Sequence, residues 1–193
     1  MINNMKKIIL KSSSPRRIEL LTNMGLDFIQ KAFDVDETMD KILTPEENVK
    51  NVSLRKALVN KEEYNDYIQI GCDTIVALDN VIYGKPKDEN DARRILNELS
   101  GKNHKVISGL TVIYKNHIYN TYVTSYVTFK KLSDNDINEY IKSGECFGKA
   151  GAYAIQGIGK CLIEKYEGSL NNIIGLPTEK LEEILGEING VED

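Results

Sequence analysis

Asp73 is the residue of this chain that most needs a chemical explanation, because it stands in the middle of an apolar run, Tyr67 to Leu78, that reads as one long strand. An ionised carboxylate in such surroundings is costly unless a cation, hydrogen bonds or a metal compensates it. Asp36 and Glu37, in the segment Phe33 to Thr38, are its expected companions. Carboxylates without a suitable Cys or His cluster suit Mg²⁺ or Mn²⁺, hard cations that keep waters and bind substrate phosphates, so Asp73, Glu37 and Asp36 are the expected ligands of a divalent metal. Hydrolysis of a phosphoanhydride needs that metal, fixed cations to absorb charge developing in the transition state, and a carboxylate to orient or deprotonate water. Arg17, Lys56 and Lys85 are the candidate cations, which makes Asp73, Lys56, Lys85, Arg17 and Glu37 a catalytic set.

A second pattern points to the same chemistry. The segment Ser12-Ser13-Ser14-Pro15-Arg16-Arg17 follows the strand Lys7 to Leu10 and opens a helix, with Ser14 as N-cap, Pro15 at the first helical position and Gly25 ending it. Basic side chains are disfavoured where free N–H groups and the helix dipole are already positive, and a bound anion removes the conflict. Arg16 or Arg17 would add charge-assisted hydrogen bonds to a phosphate. Each residue also has an ordinary structural reading: Asp73 as a satisfied sheet carboxylate, Lys56 as a snorkelling lysine, Asp36 and Glu37 as a solvated acidic loop, Lys85 as a surface lysine, and Arg16 and Arg17 as a solvated pair on a capped helix. Gln156 reads as a backbone-bonding amide or as a ligand contact, and His104 as a structural histidine.

The elements that must position these residues are legible from periodicity and caps. Thr44-Pro45-Glu46-Glu47 is a capping box opening a helix on which Val49, Val52 and Val59 share a face with Lys56. Asp79-Asn80 turns the long strand into Val81 to Tyr83. Asp88 caps a helix facing inward through Ala92, Ile95, Leu96 and Leu99, and Gly101 ends it. Strands near 105–114 and 117–130 follow, joined by a turn at Lys115-Asn116. Ser133 caps a short helix, a small-residue stretch from Lys149 to Gly157 leads into a strand at Cys161 to Glu164, and Thr178 begins the last helix. Helices interleaved with strands and hairpins imply an α/β fold with a mixed sheet, in one domain spanning 1–193.

Composition narrows the classes. A net charge of −4 and a pI near 5.4 argue against a nucleic-acid binder, so positive charge for phosphate must be local. No apolar run reaches membrane-spanning length, and the stretch after Met1 to Lys7 is too short for a signal peptide, so a cytoplasmic enzyme with no membrane partner is expected. Cys72, Cys146 and Cys161, with His104 and His117, have neither disulfide-framework nor zinc spacing.

Taken in order, Ser12 to Leu21, Val35-Asp36-Glu37, Lys56-Ala57, Gly71-Cys72-Asp73-Thr74, Gly84-Lys85-Pro86, Leu99-Ser100-Gly101 with His104, Lys149 to Tyr153 with Gln156-Gly157, and Gly175-Leu176-Pro177 resemble the motifs of the Maf nucleotide pyrophosphatases. The resemblance implies the inosine-triphosphate-pyrophosphatase-like fold, a mixed sheet with two lobes around a nucleotide cleft. It also implies metal-dependent cleavage between the α- and β-phosphates of a nucleoside triphosphate, with Asp73 as proton acceptor and Ser12, Arg17, Glu37, Lys56 and Lys85 at the phosphates and metal. Ser12, Arg16, Thr74, Gln156 and Lys149 are the substrate-binding positions it implies. The family branch that acts on dTTP and UTP carries Arg, Thr and Gln where this chain has Arg16, Thr74 and Gln156; the 7-methyl-GTP branch tends to carry Trp, Gln and Glu. An amide offers a donor and an acceptor to a uracil or thymine edge, whereas Glu only accepts. The chain departs from the family pattern at Lys11, Gly148 and Ala154, where Ala, Asp and Gly are usual. Modified pyrimidine nucleotides are a further substrate class, and a homodimer is left open. The competing expectation is a regulatory nucleotide-binding protein linked to septum formation; a buried carboxylate beside cations favours turnover over binding alone.

Overall fold

The computed structural model describes residues 6–190; residues 1–5 and 191–193, the ends of the domain expected over 1–193 and most of the Met1 to Lys7 start, lie outside the described residues. The alternation of apolar and turn residues produces strands β1 (Lys7–Leu10), β2 (Phe28–Gln30), β3 (Tyr67–Leu78), β4 (Val81–Tyr83), β5 (Asn103–Tyr114), β6 (His117–Phe129) and β7 (Ile163–Glu167). Interleaved are helices α1 (Pro15–Asn23), α2 (Pro45–Leu58), α3 (Glu89–Leu99), α4 (Asp134–Lys142), α5 (Leu170–Ile174) and α6 (Thr178–Asn189). The strands form one mixed sheet in the order β2-β1-β3-β5-β6-β7, with β4 on β3. β1 runs parallel to both β2 and β3, with Ile8 opposite Phe28 and Ile68, while β3 with β4 and β6 with β7 are antiparallel.

The chain sorts into two compact units. One holds the described residues through Asp73, then Ser108–Val123, and the chain from Gly175 on; the other holds Thr74–Ile107 and Thr124–Ile174. In the first unit, Thr44 makes the expected capping box with Glu47 at the start of α2, and Val49, Val52 and Ala57 are fully buried. α2 lies directly on the sheet because two strand glycines offer no side chain. A β-carbon at Gly71 would sit 2.5 Å from the Ala57 nitrogen and the Ser53 carbonyl oxygen, and one at Gly109 would collide with the Val49 carbonyl. A polar seam completes the contact: the Ser53 and Thr111 hydroxyls are 2.8 Å apart, and the Asn120 amide donates to Thr111 Oγ1 at 2.6 Å. In the second unit, α3 buries Ala92, Ile95, Leu96 and Leu99, and α4 buries Ile137, Tyr140 and Ile141.

Three details differ from the periodicity reading. Val59 is the residue that ends α2 and is only half-buried, so the apolar stripe stops at Ala57. The strand expected from Cys161 starts at Ile163, because Gly157–Leu162 forms a 3-10 stretch. α5 has five residues, too few to show a helical period, although Ser169 Oγ accepting from the Asn172 amide at 3.0 Å is a local cap signal.

Candidate active site

In the first unit β1 delivers a hydroxyl turn to the start of α1. Ser14 is extended and its side chain accepts from the Arg17 amide, Pro15 follows, and no acid lies in the first turn. Ser12 Oγ accepts from the Ser14 amide at 3.2 Å and from Arg17 Nη1 at 3.4 Å. Arg17 Nε donates to the Gly175 carbonyl at 2.7 Å, and the Cys72 thiol also points to that oxygen, at 3.4 Å. One carbonyl thus ties Arg17 to the residue before Asp73. Burial, and then the neighbouring Arg17 charge, lowers the pKa of the half-buried Arg16 guanidinium from its ordinary value. Two guanidinium groups at the positive end of a helix form a site that favours an anion.

Beside this turn, α2 and β3 bring Lys56 and Asp73 together. Lys56 Nζ is 2.8 Å from Asp73 Oδ1 and 3.1 Å from Glu37 Oε1. Asp73 is 6% exposed, whereas Glu37 is exposed on the irregular segment between β2 and α2. Asp73 Oδ2 is buried and accepts no hydrogen bond, an arrangement that a folded protein rarely leaves without purpose. Asp36 goes elsewhere: its carboxylate is 3.3 Å from Arg55 and accepts from the Thr38 amide at 2.8 Å, and hydrogen bonding by the Thr38 side chain, then by that amide, lowers its pKa. Adjacent residues of a non-helical segment thus direct their carboxylates to different cations, and among the described residues no three Asp, Glu, His or Cys side chains form a ready-made metal cluster. The oxygens of Asp73 and Glu37 nevertheless fit a hard divalent cation in chemistry, Oδ2 being a buried oxygen without a hydrogen-bond partner among the described residues.

The second unit holds the other expected residues. Thr74 follows Asp73 on β3, Lys85 is exposed after β4, Lys149 is half-buried, and Gln156 is exposed in extended backbone, capping nothing. The Gly151 amide donates to the Gly84 carbonyl at 3.1 Å, and a β-carbon at Gly151 would strike Val76. β3, the Lys85 loop and the Lys149 segment are therefore packed together. Ala152 beside them has φ of 59°, a left-handed conformation that non-glycine residues pay for and that clusters at functional segments.

His104 is the structural histidine expected: its Nε2 is 2.7 Å from the Tyr153 hydroxyl, and burial lowers its pKa to about 4. Two residues with positional consequences escaped the sequence reading. Lys11, noted only as a departure, is buried and donates to the Ala57 and Val59 carbonyls and to Gln69 Oε1 at 2.6, 2.5 and 2.7 Å. The end of β1 is thereby tied to the end of the helix that carries Lys56, a contact with no local signal. Glu145 was invisible for the same reason.

Residues 7–188 match the family model described as Maf-like protein. The chain is 44% identical over 180 residues to a dTTP/UTP pyrophosphatase of Clostridioides difficile strain 630, covering 92% of this chain and 93% of that one. It is also 44% identical over 187 residues to a dTTP/UTP pyrophosphatase of Caldicellulosiruptor saccharolyticus, with 94% of each covered. A dTTP/UTP pyrophosphatase of Dictyoglomus thermophilum is 43% identical over 186 residues, with coverage of 95% and 96%.

Proposed function

The chain belongs to the Maf family, and from that premise we propose that it is a nucleoside triphosphate pyrophosphatase that hydrolyses dTTP and UTP to the monophosphate and pyrophosphate. The observation that carries the reading is the divided role of Asp73, one oxygen held by Lys56 and the other buried and unbonded. Water attacks the α-phosphorus, the bond to the β-phosphate oxygen breaks, and pyrophosphate leaves. The Asp73 carboxylate takes the proton of the attacking water, while Lys56 fixes that carboxylate in place. Ser12, Arg16 and Arg17 bind phosphate oxygens at the start of α1, and Lys85 and Lys149 add positive charge as it develops on the leaving group. Asp73 and Glu37 would hold Mg²⁺ or Mn²⁺, which when bound neutralises triphosphate charge.

Gln156 reads the base in this account, its amide offering both a donor and an acceptor to the pyrimidine edge, with Thr74 and Arg16 completing the set. Modified pyrimidine triphosphates that keep this edge are further substrates. Three cysteines without a disulfide fit a reducing, cytoplasmic setting. The deciding variant is Asp73→Asn, which keeps shape and removes basicity. Pyrophosphate release from dTTP is expected to fall by roughly 10²- to 10⁴-fold, the typical worth of general acid–base catalysis. Near-wild-type turnover in that variant would sink the assignment of Asp73.

A further inference from the structure

Among the described residues no hydrogen bond holds the Gln156 side chain, yet the chain on either side of it is fixed. Three residues before, Tyr153 is buried, bonded to His104 at 2.7 Å and stacked edge-on against Phe129 with ring centres 4.7 Å apart. Just after, one carboxylate takes two successive backbone amides: Glu145 Oε1 accepts from Ile158 N at 2.9 Å and Oε2 from Gly159 N at 2.6 Å. Bonds from N–H groups to an ionised carboxylate are stronger than neutral ones, and two parallel bonds fix orientation as well as distance.

The position of Glu145 is itself fixed. It follows α4 directly, after Ser143, whose hydroxyl donates to the Tyr140 carbonyl at 2.5 Å, and Gly144, whose amide donates to the Ile141 carbonyl at 2.9 Å. The Glu145 amide donates back to Ser143 Oγ at 3.2 Å. Tyr140 and Ile141 are buried, so the carboxylate projects from the packed end of α4. The loop is shaped to receive it: Gly157 has φ of +72°, and the Glu145 oxygen occupies the place a β-carbon would take. At Gly159 that place is filled by the Ala154 carbonyl and approached to 3.0 Å by the Tyr140 hydroxyl.

We infer that Glu145 is the positioning residue for base recognition, holding the backbone after Gln156 so that the exposed amide meets the pyrimidine edge in one geometry. This rests on Gln156 reading the base. A recognition group is only as selective as the shell supporting it, and displacement by about 1 Å can cost on the order of a hundredfold in rate. Glu145 touches neither phosphate nor reacting atoms in this account, so its loss acts on discrimination rather than on bond cleavage.

The test compares steady-state kcat/KM for dTTP and GTP in wild type, Glu145→Ala, Glu145→Gln, Gln156→Ala and the double variant Glu145→Ala/Gln156→Ala. In Glu145→Ala the dTTP value falls about tenfold or more while the GTP value moves by less than about twofold, collapsing the ratio. Glu145→Gln keeps one acceptor and loses the other, so its ratio lies between, and it carries the comparison if the alanine variant fails to fold. In the Gln156→Ala background, Glu145→Ala changes the ratio no further, as expected of residues acting as a unit. A lowered melting temperature with both substrates reduced equally and the ratio intact would make Glu145 merely structural. A ratio lost in Gln156→Ala but kept in both Glu145 variants overturns the inference alone; a ratio unchanged in Gln156→Ala overturns the reading of Gln156 on which it rests.

Discussion

At the residue scale, the account turns on buried charges and what each is tied to. Asp73 is compensated on one side by Lys56, and its sequence context alone, a carboxylate in an apolar strand, was enough to single it out. Lys11 is the opposite case, since a lysine at the end of a strand reads as ordinary surface and only the fold shows its three acceptors. Burial is the main cause that brings its pKa down to about 8, opposed by the nearby Glu63 carboxylate; the amine lies over the Phe33 and Tyr64 rings, which Lys31, paired with Glu63 at 3.5 Å, also approaches. Because the folded pKa lies below the unfolded value of 10.5, the unfolded chain binds more protons between these limits. Stability therefore rises with pH across that window, and the burial cost is fully present below about 8. Against Lys11→Met, which has no group to titrate there, wild type should gain on the order of 1 kcal/mol between pH 7.5 and 9.5 in urea unfolding. A difference between the two proteins that stays flat over this range would contradict the assignment.

At the element scale, Lys56 is placed by how closely α2 lies on β3 and β5. Gly71 and Gly109 make that approach possible, and Ala at either position would force the helix away. Gly109→Ala, whose β-carbon would meet the Val49 carbonyl, is expected to destabilise by about 1–3 kcal/mol as an overpacking change and to reduce turnover by displacing Lys56. Thermal unfolding together with pyrophosphate release checks it, and a variant unaltered in both would show that α2 has room to spare. The sequence disclosed most elements because caps and periodicity are local: Ser14, Thr44, Asp88 and Ser133 each cap the helix expected of them. It misplaced the start of β7 because Gly157 and Gly159 let the chain turn tightly before extending, and it missed α5 because one turn and a half has no periodic face. The separation of Asp36 from Glu37 was equally illegible, being decided by Arg55 and Lys56 one helix away.

At the scale of the whole molecule, the chain carries a net charge of −4, so the positive charge of Arg16 and Arg17 at the start of α1 is a local feature. Among the described residues no helix is long and apolar enough to cross a membrane. Hard carboxylate oxygens without a Cys or His cluster make a divalent cation the expected requirement. Exhaustive chelation should abolish hydrolysis, with Mg²⁺ or Mn²⁺ restoring it; full activity in chelator, with no metal found by elemental analysis, would remove the metal from the account. The central claim is that this site cleaves pyrimidine nucleoside triphosphates between the α- and β-phosphates. Its most direct test is steady-state pyrophosphate release by the wild-type protein over dTTP, UTP, CTP, GTP and 7-methyl-GTP. The predicted result is a kcat/KM for dTTP and UTP about ten- to a hundredfold above the purine nucleotides, since the wrong base leaves a polar group unpaired at about 1–3 kcal/mol. Release of orthophosphate in place of pyrophosphate, no turnover of any nucleotide, or 7-methyl-GTP as the best substrate would contradict it.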